Sequence, residues 1–364
     1  MTGKPSAADR LLAWTAVHAH RIPEPLLRGG FVLAADAAWL LRVPGVRQLE
    51  RNLAQVTGRG GRALRRLSHA GMRSYFTYFA EAMTVGAAAA SPRGEARLKA
   101  RIRGGGDGLD SLIALTGAGA GDSGGSAPIA MGHQGNWDYA AFWARDAVAP
   151  VTTVAERLGD EELLRTFVRI RGRLGMRILL TGESGLVEQL ERALDDPPAI
   201  VPLLADRDLG RRGVFVHAFG SAMRVAAGPA VLALDTGRPL YVVAMHRERL
   251  HGRRRRAAGT RYGYVCEVSG PIDPAPYRAM AGRDNAGREC AVHELTQAWV
   301  DVWARGVAAH PEDWHMLQPI FLHDLDADRL RNVPDWVRDL QARTVPEPGK
   351  TTHQNRTPWR KVTR

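Results

Sequence analysis

A histidine and an aspartate five residues apart, His133 and Asp138, sit inside the stretch Gly132-His133-Gln134-Gly135-Asn136-Trp137-Asp138. On a continuous helix five residues are about 140° apart, so the two side chains would diverge. Across a strand–turn–helix corner they can converge, and the flanks read as such a corner. The apolar run Pro128-Ile129-Ala130-Met131 leads in, and Trp137 to Ala144 has helical character. Gly132 and Gly135 suit a sharp turn. Asn136 suits a helix N-cap, with Asp138 in the first turn where a carboxylate is favoured. An aspartate that accepts one ring N–H of a histidine fixes its tautomer, and the other nitrogen is then free to take a proton. That is a base with its orienting partner and no protein nucleophile, which suits a reaction whose nucleophile is a substrate hydroxyl. A bare H-x4-D spacing is also what a turn histidine beside a capping carboxylate gives. The full stretch is what sets this one apart.

Other charged clusters follow apolar runs. Pro202-Leu203-Leu204-Ala205 ends in Asp206-Arg207-Asp208, and Val151 to Ala155 ends in Glu156 and Arg157. Arg171 lies in the helical stretch after the latter. On residue type alone these read equally well as loop ion pairs. His293-Glu294 lacks the second histidine of a zinc H-E-x-x-H site, since position 297 is Gln. The glycine-rich 117–125 stretch is neither a Walker loop nor a dinucleotide fingerprint, because it precedes a strand and lacks the Lys-Ser/Thr pair. Cys266 and Cys290 have no metal-ligand or C-x-x-C spacing and read as free thiols.

The elements that must position these groups alternate from residue 128 onward. Strands are expected at 128–131, 150–155, 176–181, 199–205, 214–219, 239–246 and 262–268. Helices are expected at 137–147, 160–174, 184–195, 226–236 and 286–308. This alternation predicts an α/β fold, a twisted, mostly parallel central sheet flanked by helices, with sites at the carboxyl ends of strands. Residues 1–57 read as an amphipathic helical N-terminal region broken at Pro23, Pro25 and Pro44, residues 58–325 as the α/β domain, and 326–364 as a basic, disordered tail. A long helix is expected over 61–85, with Arg73 and Glu81 on a solvated face. Residues 103–127 read as a loop-rich connection, and Arg253 to Arg256 as a solvated loop that could meet anionic headgroups.

The chain has 364 residues and a net charge of +12, and 46 of its 50 basic side chains are arginine. Such an excess favours anionic partners. No aromatic interleaving or RNA-binding motif accompanies the basic run, so nucleic acid is not expected. The longest apolar stretch near the N-terminus, Phe31 to Leu41, is too short to span a bilayer.

The G-H-x-G-N-W-D stretch, together with His310-Pro-Glu-Asp-Trp-His-Met-Leu-Gln-Pro319 and Gln48 to Leu53, resembles the bacterial lipid A / phosphatidylinositol mannoside acyltransferase family. The resemblance implies a glycerolipid acyltransferase-like fold. It implies transfer of a fatty acyl chain, palmitoyl above all, from acyl-CoA to a mannose hydroxyl of phosphatidylinositol mannoside or a related glycolipid. It assigns His133 as base, Asp138 as its orienting partner, and Asn136, Glu156, Arg171, Asp206, Arg207 and His293 to the acceptor pocket, with Asp206 supporting either the acceptor or His133. Backbone N–H groups of the turn or a nearby arginine would stabilise the oxyanion. No cofactor or metal is expected, with acyl-CoA as co-substrate. The expected location is the cytoplasmic face of the plasma membrane, as a peripheral protein without a transmembrane helix. Related outcomes are a lipid A-type acceptor, an acyl-CoA thioesterase, or a non-enzymatic membrane-binding module.

Overall fold

The structure is a computed structural model and describes Thr15 and residues 18–338, apart from 119–123, 158–159, 209–212, 283, 328 and 331–332. The chain begins with α1 (Glu24–Leu40), α2 (Pro44–Thr57), α3 (Gly61–Ala89), α4 (Pro92–Arg101), β1 (Ile102–Gly105) and α5 (Leu109–Thr116). It continues with β2 (Ser126–Met131), α6 (Trp137–Ala147), β3 (Val151–Ala155), α7 (Glu161–Arg173), β4 (Met176–Leu180), α8 (Leu186–Leu194) and β5 (Ala199–Leu204). Then come β6 (Val214–Ala218), β7 (Ser221–Val225), α9 (Gly228–Thr236), β8 (Leu240–Arg249), α10 (Gly252–Ala258), β9 (Tyr262–Ile272), α11 (Ala275–Ala281) and α12 (Asn285–Ala309).

Strand β2 shows why helices cover both faces of the sheet. It is buried along its whole length. Ala127, Ile129 and Met131 face a core shared with α5 and α6, while Ala130 faces a second core built with α9 and α12. Strand β8 alternates the same way, with Tyr241, Val243 and Met245 on the first side and Leu240 and Val242 on the other. Strands buried on both faces are the mark of a covered, parallel sheet. The seven-stranded order is β1-β9-β8-β2-β5-β3-β4. Strands β8, β2, β5, β3 and β4 are parallel, β9 runs antiparallel to β8, and β1 pairs parallel with β9. Strands β6 and β7 form a separate antiparallel hairpin.

Several expectations are corrected. Gly104 and its neighbours form β1 and not a loop, and Arg253 to Arg256 lie in helix α10. The 214–219 strand belongs to the hairpin and not to the central sheet. Pro25 and Pro44 sit in the first turns of α1 and α2, where a missing N–H is tolerated. Glu81 is buried rather than solvated. Packed structure runs past residue 325, since Val333 and Val337 bury against Phe215 and Ala222. The amphipathic reading of residues 1–14 and the tail reading of 339–364 lie outside the described residues. Among those described, no helix is long and apolar enough to cross a membrane.

Candidate active site

Strand register brings a carboxylate to His133. Met131 of β2 pairs with Leu204 of the parallel β5. The residues two beyond each strand end, His133 and Asp206, therefore emerge side by side at the carboxyl edge of the sheet. Asp206 Oδ1 lies 2.6 Å from His133 Nδ1, and Asp206 Oδ2 accepts the His133 backbone N–H at 2.9 Å. Trp314 Nε1–H donates to the same Oδ2 at 2.9 Å. Burial of Asp206 would raise its pKa, but the His133 charge and these hydrogen bonds outweigh it and hold the carboxyl below its usual range. An ionised carboxylate can only accept, so Nδ1 carries the ring proton. In the neutral ring Nε2 is then the basic nitrogen.

The turn is shaped by close packing. A Cβ on Gly132 would lie 2.4 Å from the Trp303 indole nitrogen, and Gly135 takes a left-handed φ of 55° against Met245. His133, Gln134 and Gly135 each direct the backbone N–H to an internal acceptor, namely Asp206, Gly132 and Asp313. These N–H groups are thus not free for a substrate oxyanion. Arg207, on the cavity wall, bonds Glu156 at 3.0 Å, and its Nε is buried without a partner.

The segment from His310 to Pro319 closes over the turn. His315 N–H donates to His133 O at 2.7 Å, and Asp313 O accepts from Gly135 N–H at 2.8 Å. Asn52 of α2, fully buried, donates to Met316 O at 2.8 Å and Gln318 O at 3.0 Å. Ser74 of α3 donates to Asp313 Oδ1 at 2.7 Å and lies 2.9 Å from His315 Nε2. The single Ser74 proton goes to Asp313, so Nε2 of His315 is the protonated nitrogen. Burial, reinforced by the positive charges of Arg247 and His133 and opposed by Asp313 and Asp206, pushes the His315 pKa down to about 3. This histidine is therefore neutral, and its Nδ1 lone pair is buried without a partner.

His133, Asp138, Glu156, Arg171, Arg207 and His315 line a cavity of about 320 Å³. Tyr75, Tyr78, Phe79 and Trp137 form its aromatic wall. Met131, Trp137, Ala141, Val151 and Pro202 also line a second, smaller apolar cavity of about 40 Å³, whose wall includes Leu112 and Val268. The larger cavity thus has charged and apolar walls, and the smaller is lined by apolar side chains.

Residues 11–323 match the family described as bacterial lipid A biosynthesis acyltransferase. The chain belongs to this acyltransferase family. It is 37% identical over 320 residues to a phosphatidylinositol mannoside acyltransferase of Mycolicibacterium smegmatis, covering 87% of this chain and 91% of the relative. A phosphatidylinositol mannoside acyltransferase of Mycobacterium tuberculosis is 36% identical over 87% of this chain and 88% of its own. The 1-acyl-sn-glycerophosphate (LPA) acyltransferase PlsC of Thermotoga maritima matches in structure over 74% of this chain and 97% of that one, at 12% identity and a TM-score of 0.29, a likeness too slight to carry an argument.

In this acyltransferase the pairing expected between His133 and Asp138 is not formed. Asp138 instead accepts from Arg171 Nε at 2.8 Å and from the Tyr78 hydroxyl at 3.2 Å. Position two past the end of β5, and not a place in the same motif, selects the partner. Asn136 does cap α6, accepting the Tyr139 N–H at 3.1 Å, but it is fully buried and its amide donates to Glu81 at 2.9 Å. It shapes the turn and does not reach the cavity. His293 stands outside the site; it borders a separate groove, beside Glu294 and Trp336. Trp314 and His315 are the residues that sequence reasoning missed. Their signal was present in the Trp-His pair of the late motif, but nothing in the sequence showed that this segment folds back onto residues 133–135.

Proposed function

We propose that the acyltransferase moves a fatty acyl chain, palmitoyl above all, from acyl-CoA to a mannose hydroxyl of phosphatidylinositol mannoside, acting from the cytoplasmic face of the plasma membrane as a peripheral protein. The observation that carries this reading is the His133–Asp206 pair, whose histidine lines a cavity with both charged and apolar walls. His133 Nε2 takes the hydroxyl proton as the oxygen attacks the thioester carbonyl. The C–O bond forms, the C–S bond breaks, and the imidazolium returns its proton to the departing thiolate. Buried Asp206 balances the imidazolium charge between these steps. Arg207, on the cavity wall with His133, supplies positive charge toward the developing oxyanion. Asp138, Glu156 and Arg171 present charged groups to sugar hydroxyls. The acyl chain lies along the apolar wall of the cavity, beside Met131, Val151 and Leu204. No acyl-enzyme is formed: among the described residues no serine or cysteine lines the 320 Å³ cavity, and burial pushes the thiol of Cys266, on the wall of the smaller cavity, up to about 12. The mannoside acceptor is supported by the near full-length identity to phosphatidylinositol mannoside acyltransferases.

Seating on a lipid surface is supported by α1. Leu26, Leu33 and Leu40 recur every seven residues on its outer face and are 69%, 71% and 69% exposed, with Leu41 beside them. An apolar stripe of this kind on a helix suits the interface of a bilayer, and the +12 charge suits an anionic one.

The test is thiol release from palmitoyl-CoA by wild type and His133→Ala, with and without a phosphatidylinositol mannoside acceptor, and with the lipid weighed by mass spectrometry. Acceptor-stimulated release and a heavier glycolipid, both lost in the variant, are expected. Release indifferent to acceptor would mean a thioesterase or another acceptor, lipid A-type sugars included. No release in wild type would remove acyl-CoA as donor.

A further inference from the structure

Glu81 lies outside the catalytic cavity, yet it is only 4% exposed and fully bonded. Its Oε2 accepts from the Asn136 amide at 2.9 Å and from the Tyr264 hydroxyl at 2.6 Å. Its Oε1 accepts from the Arg28 guanidinium. Asn136 must turn its Oδ1 toward the Tyr139 N–H and its Nδ2 toward Glu81, so this carboxylate fixes which way the cap amide points. The cap in turn stands three residues from His133. Arg28 reaches Glu81 from α1, and it also bonds Glu24 and, at 3.1 Å, the Thr260 hydroxyl. Arg28 and Leu33 are five residues apart, about 140° around the helix. A single helix therefore carries the leucine face on one side and the ion partner of Glu81 on the other.

We propose that Glu81 is a positioning residue for the catalytic turn, and that Arg28 ties it to α1, so that seating the leucine face on lipid raises turnover. The surface half of this inference rests on the membrane reading above. A buried carboxylate that loses its ion partner does not stay where the pair held it. Whatever strengthens the seat of α1 strengthens the Arg28–Glu81 contact, and through Asn136 it narrows the range of positions open to the base. Base geometry acts on kcat, because a small misplacement of a catalytic group slows chemistry without altering how substrate binds. Two sites linked through one element in this way bias each other reciprocally.

The experiment uses the full chain and vesicles of phosphatidylcholine with phosphatidylinositol. Binding is read by sedimentation, and turnover by thiol release from palmitoyl-CoA to a water-soluble mannoside. Wild type is expected to bind and to gain kcat by about fivefold or more, with KM for acyl-CoA nearly constant. Arg28→Met is expected to bind the same vesicles with no gain, and Arg28→Lys to recover part of it. Glu81→Gln should lower kcat by about tenfold or more with and without vesicles while leaving KM in place. Leu33→Asp should lose binding and gain together. Amide exchange in wild type over residues 133–139 should slow on vesicle binding, a readout that does not depend on any variant folding. A wild type that binds without a change in kcat or exchange, or an Arg28→Met that gains as much as wild type, overturns the coupling. Failure of wild type to bind vesicles, or to turn over at all, instead removes the reading on which the coupling rests.

Discussion

A carboxylate buried without any exposure and holding three donors is the most constrained group of the site. Asp206 must accept from the His133 ring, the His133 backbone and Trp314 at once. Asparagine offers one acceptor oxygen and an amino group that repels donors. Asp206→Asn is therefore expected to lower kcat by about 10³-fold, by disordering the tautomer of His133. Asp138→Asn can keep its contact to Arg171 and is expected to act on the KM for acceptor with kcat little changed. Steady-state kinetics of both variants checks this. Loss of kcat in Asp138→Asn with Asp206→Asn near wild type would restore the pairing inside the motif. His133 in its turn was legible from residue types, because Gly, His, Asn and Asp in that order describe a turn and a cap. Its partner was not, since spacing within a motif carries no information about which strand lies alongside. The register of Met131 against Leu204 decides it.

At the scale of elements, α6 turns small side chains toward the two cavities. Ala141 borders both cavities, and Ala140 and Ala144 line the apolar one. Filling this space should shorten the chain that fits, since an interior packed to native density has no room for added methylenes. Ala141→Phe is expected to shift preference from palmitoyl-CoA toward shorter acyl-CoA thioesters, measured as the ratio of kcat/KM across chain lengths. An unchanged ratio would place the chain elsewhere. The helices with a clear apolar stripe, α3, α6, α7 and α12, were readable from period alone. Strand β1 was not, because its glycines resemble a loop. In the fold a Cβ on Gly104 would lie 2.4 Å from the Trp143 ring, so glycine is there for close approach. Helix α10 was hidden by its charge. Arginine is a good helix former, and Arg254 finds Glu248 and the Ala100 carbonyl, so the basic run need not stay a loop.

For the whole molecule, buried histidine sets how stability responds to acid. His315 falls from 6.5 to about 3 in the fold, so between these values the unfolded chain binds a proton that the folded chain refuses. Stability must therefore decrease as pH drops through that window. The lowered His246 acts in the same direction. Asp206 and Asp313, both lowered, contribute above the ordinary carboxylate range and lose that contribution only at lower pH. Taking wild type from pH 7 to 4.5 is expected to cost about 2–3 kcal/mol through His315, read from urea midpoints. His315→Gln should show a correspondingly shallower loss, and equal slopes would mean that His315 is not held neutral. The broad architecture was legible at this scale because alternating apolar runs leave few ways to cover both faces of a sheet. The fold-back of Trp314 onto Asp206, 108 residues apart, was not. That span has a consequence during synthesis. A ribosome delivers His133 long before Asp206, and Asp206 long before the indole that anchors it. Until translation has passed Met316, a nascent chain lacks the contacts that tie Trp314 to Asp206 and His315 to His133. The turn around His133 is therefore completed late, as the Trp-His segment docks.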